Sequence, residues 1–184
     1  MHFTLDRDRI RLAEVVLVYL ERAYATSGPV PHGTVPEPYG SAALAITPGD
    51  SGGDIVVAPV APGEVVWLGF QAVDRTSPVT VRVRIDEPQP IDAISGGIWD
   101  DSLSEDPPNF LLCPPDSSLA GPPVPGGRRL LGSDSMERFT LFAWGATPVG
   151  VTVQLVRPAE FARVAGRIPP PLDPGAAFTG RRLP

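Results

Sequence analysis

Hydrophobic and polar residues alternate with a period of two along several short stretches, and this period sets the expected fold more than any motif does. Val79, Val81, Val83 and Ile85 alternate with Thr80, Arg82 and Arg84, the signature of a strand with one buried and one wet face. Val149, Val151, Val153 and Leu155 repeat it against Gly150, Thr152 and Gln154. Strands are expected over 42–47, 54–60, 64–73, 78–85, 138–144 and 149–156, each rich in Val, Ile, Phe or Trp and bounded by Gly, Pro, Asp or Ser. No helix of crossover length separates them, which predicts antiparallel pairing.

The first 25 residues read differently. Ile10, Ala13, Leu17, Leu20 and Tyr24 fall on one helical face, and Asp6 or Asp8 can cap a helix running to about residue 25. Leu12, Val15 and Tyr19 fall on another face, so such a helix needs cover on two sides. Val15, Val16, Leu17 and Val18 are also strand-like through their β-branching. Residues 26–40 hold four prolines and three glycines and form an irregular connection. A short helix is expected over 158–166, with Pro158 at its first position and Gly166 just past its end. Residues 168–184 are a proline-rich tail without the apolar content to build a core.

The expected fold is therefore all-β and mainly antiparallel: a β-sandwich or jelly-roll-like domain, or a small barrel, with an N-terminal helix, a short C-terminal helix and a proline-rich tail. The chain divides into an N-terminal helix and connection (1–40), a β-domain (41–157) carrying a long acidic loop (86–127), and a helix with a basic tail (158–184). That loop has nine prolines and five glycines, with brief strands expected at Ile98 with Trp99 and at 110–113. An irregular excursion of this length inside a domain points to function or to disorder, and its large apolar side chains favour partial order.

Composition narrows the picture. The 51 Leu, Ile, Val and Phe residues of 184 suffice for a core. The 24 prolines and 19 glycines are too many for a helical bundle. The most apolar stretch, 12–20, is interrupted by Glu14 and is too short to span a bilayer. Asp6, Asp8 and Glu14 stand where a secretory leader would be basic or apolar, so a cytoplasmic protein is expected. The single cysteine, Cys113, excludes an intramolecular disulfide framework.

Charge is unevenly spread. Net charge is −6, divided as −2 over residues 1–84, −8 over 85–127 and +4 over 128–184. A purely acidic middle and a basic end suggest attraction, within one chain or head to tail between copies; the alternative is that both are simply solvated surface, since exposed pairs add little. An acidic pI near 4.8 and the lack of any recognition motif argue against nucleic-acid binding.

Candidate chemistry is sparse. Asp100, Asp101, Glu105 and Asp106 place four carboxylates within seven residues, hard oxygen donors of the kind calcium takes. Their spacing does not follow an EF-hand loop, so they read as a solvated acidic loop or a docking patch for arginines, and no metal or cofactor is expected. Two histidines and one cysteine offer too few ligands for a transition metal. Arg82 and Arg84 share one strand face, where paired arginines can grip carboxylates or phosphates, although outward arginines on a strand more often serve solubility and block edge pairing; Arg181 and Arg182 close the tail. The run Gly49, Asp50, Ser51, Gly52, Gly53 resembles the nucleophile motif of chymotrypsin-like serine proteases. The family also requires a histidine and an aspartate well upstream, whereas only 48 residues precede this motif and the histidines are His2 and His32. A turn between two strands is the expected role.

The function expected is a non-enzymatic structural or protein–protein interaction module that self-associates or binds a protein partner. Its N-terminal helix, acidic loop and basic tail are the docking elements, and Arg82, Arg84, Asp100, Asp101, Glu105, Asp106, Arg181 and Arg182 are the candidate binding residues. The rival is a barrel that encloses a small apolar molecule, a carrier or a cyclase- or isomerase-type enzyme working with carboxylates such as Glu64 or Asp74. A carbohydrate-binding sandwich is a third reading and needs an exposed aromatic platform.

Overall fold

The computed structural model describes residues 3–50, 52–132, 136–144 and 147–173. Its strands are β1 (Phe3–Asp6), β2 (Arg9–Leu12), β3 (Val16–Tyr24), β4 (Ala45–Pro48), β5 (Asp54–Pro59), β6 (Glu64–Ala72), β7 (Val79–Ile85), β8 (Ile91–Asp92), β9 (Leu111–Cys113), β10 (Ser118–Leu119), β11 (Pro123–Val124), β12 (Gly127–Arg128), β13 (Arg138–Trp144) and β14 (Val149–Val156), followed by helix α1 (Pro158–Ala165). The architecture is all-β with one helix near the C-terminus. A smaller sheet has the order β1-β2-β3-β6-β10 and a larger one β4-β5-β14-β13-β7-β8, with β9 also on β7. Pairing is antiparallel throughout except for β5 beside β14, which run parallel.

The alternation read from the sequence is what packs the two sheets together. Val81, Val83 and Ile85 of β7, Phe139 and Leu141 of β13, and Val151, Val153 and Leu155 of β14 meet Val16, Val18 and Leu20 of β3 and Val66, Leu68 and Phe70 of β6 in one buried cluster. Burying each such side chain stabilises the fold by roughly 1.5–3 kcal/mol relative to leaving it in water.

The expected N-terminal helix is not formed. The segment makes three strands instead, with Ile10, Leu12, Val16, Val18 and Leu20 fully buried on a period of two. The first reversal shifts the phase of that period, from Phe3 and Leu5 in β1 to Ile10 and Leu12 in β2, and the second preserves it, so apolar positions on different strands imitate a helical spacing. The reversals carry no sequence signal, because Arg7, Ala13 and Glu14 take positive φ where Gly or Asn is usual.

Outer faces are covered in three ways. Helix α1 starts at Pro158, ends at Gly166 in the left-handed conformation, and buries Phe161 against Val57 and Val156 of the larger sheet. The connection after β3 and the β11–β12 ribbon cover Trp67, Val65 and Ala23 on the smaller sheet. Gly127 has φ 153°, and a Cβ there would strike the carbonyl of Val30, so the ribbon docks only with glycine at that position. Part of the acidic loop lies over the outer face of the larger sheet at Arg82 and Phe142.

Candidate functional site: an arginine and aromatic ladder beneath the acidic loop

One edge of β7 has two partners. β8 pairs with Arg84 and Ile85, and β9 with Val79, Thr80 and Val81. Between these pairings the chain 93–110 leaves the edge and folds back over the outer face of the sheet, where Arg82 stands. Arg82 is 0% exposed. Its Nη2 donates to Asp92 Oδ2 at 3.2 Å, its Nη1 to the Ser102 carbonyl at 2.9 Å and its Nε to the Asn109 carbonyl at 3.2 Å. A lone guanidinium is very costly to bury, and the loop supplies the carboxylate and carbonyls that make burial tolerable. Asp92 is itself fixed, its Oδ1 accepting from the backbone of Ile94 and Ser95 and from the Ser95 hydroxyl. Asn109 ties the two ends of the arch, accepting from Ser104 N and donating to the Ser102 carbonyl.

Aromatic rings complete the ladder. Phe142 lies directly across from Arg82 in the β13–β7 register. Trp99 stacks on Phe142, with ring centroids 5.2 Å apart and planes 22° off parallel, and its centroid is 3.9 Å from the Arg82 guanidinium carbon. Both partners rise from one face of the sheet, and Trp99 lies half-buried against them, with the Arg84 guanidinium carbon 5.7 Å from its ring centroid. Trp144 meets Phe142 edge-on at 6.3 Å and lies 5.0 Å from Arg82. Phe142 has room because Gly150 faces it across the strand pair; a Cβ there would come within 2.9 Å of the ring. Arg84 sits one rung along, its Nε bonded to Asp86 Oδ1 at 2.6 Å and its Nη2 to Thr140 Oγ1 at 3.3 Å.

The predicted site residues are thus divided by the fold. Arg82 is enclosed and its donors face internal partners. Arg84 is partly exposed but paired. Asp100 and Asp101 are exposed beside Trp99, and Asp101 accepts from the indole Nε1 at 3.2 Å. Hydrogen bonds from the Ser102 hydroxyl and backbone hold Asp100 below the ordinary carboxylate range, with the charge of Arg82 adding to them. Glu105 and Asp106 are exposed farther along the arch. Arg181, Arg182 and Ser51 lie outside the described residues. The flanks of Ser51 form a turn closed by Gly49 N to Gly53 O at 2.7 Å, and His32 is exposed.

Four residues essential to this arrangement escaped sequence reasoning. Asp92, Asn109 and Arg128 have ordinary contexts, and Trp99 read only as a brief strand. Arg128 donates to the carbonyls of Ala93, Ile94 and Gly121, which pins the base of the loop, and burial lowers its pKa. The one available signal was Asp92 followed by Ala-Ile-Ser-Gly-Gly, a sequence suited to an Asp-capped turn.

Two of the hollows among the described residues lie away from the 93–110 arch. A groove of about 350 Å³ on the outer side of the smaller sheet is lined by Thr26, Pro29, Val65, Val124, Arg129 and Leu130 among others. A smaller one of about 110 Å³ lies where Glu14, Val15, Val73 and Asp74 meet. Glu64 is consumed by a bidentate contact from Arg22, at 2.9 and 3.0 Å, while Asp74 is exposed and held below its ordinary pKa by the Thr76 hydroxyl and backbone. Among the described residues no three His, Cys, Asp or Glu side chains converge as a metal site would need, and no helix is long and apolar enough to cross a membrane. No protein-family model, curated protein or solved structure matches the chain.

Proposed function

We propose that the protein is a non-enzymatic assembly module that docks through the outward surface of its acidic loop. The observation that carries this reading is the combination of rigid anchoring and exposed apolar anchors on one arch. Ile98, next to Trp99, is 67% exposed and Leu103, next to Ser102, is 45% exposed, while the backbone on either side is fixed by Arg82, Asn109 and Arg128. Pre-ordered aromatic and aliphatic anchors with a polar rim are what protein interfaces use for most of their binding energy. The rim here is acidic, through Asp100, Asp101, Glu105 and Asp106, so the partner it favours is basic. The chain's own C-terminal part, at +4, makes a second copy the simplest such partner. The setting we propose is the cytoplasm, consistent with a single, buried and unpaired cysteine.

Light scattering on the full chain from micromolar to millimolar concentration tests the reading. A mass above one chain is expected, falling as salt rises because exposed charges are screened over about 10 Å at 0.1 M. The Ile98→Ser, Leu103→Ser variant is expected to weaken assembly at least tenfold. A monomer under all conditions, or assembly indifferent to that variant, refutes it. The rival reading of a small-molecule carrier attaches to the groove beside Thr26 and Pro29, whose volume falls in the usual range for ligand sites. Its one charged wall, Arg129, already faces Glu137 in an ion pair, which leaves little to orient a ligand.

A further inference from the structure

The segment following α1 does not leave the molecule at once. After Gly166, Arg167 donates to the Leu44 carbonyl at 3.3 Å, Pro169 is buried, and the Pro170 carbonyl accepts from Arg22 Nη1 at 2.9 Å. Arg22 stands at one end of the sandwich, 5% exposed and paired with Glu64. Close by are Tyr39, whose N–H bonds the Arg22 carbonyl, and Tyr24, in register with Glu64 and 5.0 Å edge-on to Tyr39. A buried charged donor engaging the carbonyl of a proline run uses what extended proline segments offer: their carbonyls have no internal partner and their stiffness lowers the cost of ordering.

The chain's own segment satisfies this site incompletely. Arg22 Nε is buried and has no hydrogen-bond partner among the described residues, which is costly for a group of this kind. Only three residues separate Gly166 from Pro170, so the tether restricts how the prolines can slide over Arg22. Ile168, at 86% the most exposed large apolar side chain among the described residues, is left in water. A segment arriving from another molecule is free of that tether and can present its carbonyls in a different register.

We propose that this end of the sandwich is a docking site for a proline-rich segment, and that in the assembled protein its occupant is residues 168–172 of a second copy, exchanged for the chain's own. The inference rests on the self-association reading above and names a contact of it. Because the cis segment competes at an effective concentration of order millimolar, exchange is expected to become visible at roughly 0.1–1 mM chain.

The test uses the full chain with the photo-reactive p-benzoylphenylalanine in place of Ile168, prepared in unlabelled and uniformly ¹⁵N-labelled forms, mixed, equilibrated and irradiated. Mass spectrometry of the digested products is expected to show mixed-isotope links from position 168 to peptides holding Arg22, Tyr24, Tyr39 or Glu64. Their yield should rise with concentration and fall at least fivefold with Arg22→Gln. Pro169→Ser, which alters only the segment, is expected to lower the yield similarly and guards against an Arg22 variant that fails to fold. Links to this end confined to one isotope at every concentration overturn the proposal. If that occurs while light scattering still reports an assembly sensitive to Ile98 and Leu103, the acidic-loop reading stands alone; a monomer by scattering removes both.

Discussion

Replacing Arg82 with methionine tests whether a single buried cation holds the acidic loop on the sheet. Methionine keeps most of the aliphatic stem and deletes the guanidinium. Asp92, whose side chain is 3% exposed, then loses its countercharge, although its Oδ1 keeps three donors from Ile94 and Ser95. Breaking a buried ion pair from one side costs about 3–5 kcal/mol. The Asn109 carbonyl loses a charged donor as well, worth roughly 1–3 kcal/mol on its own, and Trp99 loses a cation–π partner worth about 0.5–2 kcal/mol. These interactions share one network and do not add, so a net loss of about 4 kcal/mol is expected, a large part of the 5–15 kcal/mol typical of a domain. At about 2–4 °C per kcal/mol, the melting temperature should fall by about 8–16 °C. Urea unfolding gives the free energy, and amide hydrogen exchange across 93–110 gives the location: protection should collapse there, while β3 and β6 lose no more than the lowered global stability requires. Adding Asp92→Asn to the methionine variant removes the stranded charge and should recover about half of the loss. A loss under about 1 kcal/mol, or unchanged exchange across 93–110, refutes the argument and shifts the anchoring to Arg128.

Two further predictions concern local features. Glu14 has φ 58° and is exposed; a left-handed non-glycine residue costs roughly 1–2 kcal/mol and glycine gives back about half through its unfolded-state entropy, so Glu14→Gly should stabilise by about 0.5–1 kcal/mol. The exposed contact to Arg11 at 3.5 Å offsets little of this, and a lower urea midpoint for the variant contradicts the strain argument. Burial raises the pKa of the Cys113 thiol, so the folded chain keeps a proton that the unfolded chain releases. Stability is then unaffected by this group below about pH 8.5 and declines as pH rises above it. The decline between pH 8 and 10 should be shallower in Cys113→Ala, and the native thiol should resist alkylation; equal slopes dismiss the assignment.

What the sequence made legible follows from how local each signal is. The boundaries of β7, β13 and β14 and the start of α1 are nearly those expected, because alternation and Pro158 act within a few residues. The N-terminal strands were hidden because their turns use Arg7, Ala13 and Glu14, residues with no turn preference, so nothing marked where one strand ended and the next began. The site was half legible. Arg82 and Arg84 do share the outward face, yet outward on a strand does not mean exposed when another segment folds over it. That segment is drawn from ten to twenty-seven positions further along, through the Asp92 carboxylate and the Asn109 carbonyl, and no local pattern encodes such a pairing.

The uneven charge of the chain now separates into two parts with different consequences. Some of the charge of the acidic middle is taken up inside one molecule: Arg129 reaches Glu87 at 4.0 Å, and Arg128 grips the carbonyls at the base of the loop. Asp86 and Asp92 are likewise taken up by Arg84 and Arg82. Asp100, Asp101, Glu105 and Asp106 form no salt bridge among the described residues and are exposed beside Ile98 and Leu103. The internal pairs are therefore the means of ordering a glycine- and proline-rich stretch that could not bury a core of its own, and the outward acids are the charge left over for a partner. Internal pairing fixes the shape of the surface, and the surplus sets the sign of what it attracts. On this argument, neutralising Asp100 and Asp101 as asparagines should slow association and flatten its salt dependence while leaving the fold intact, whereas neutralising Asp92 should disturb the fold first.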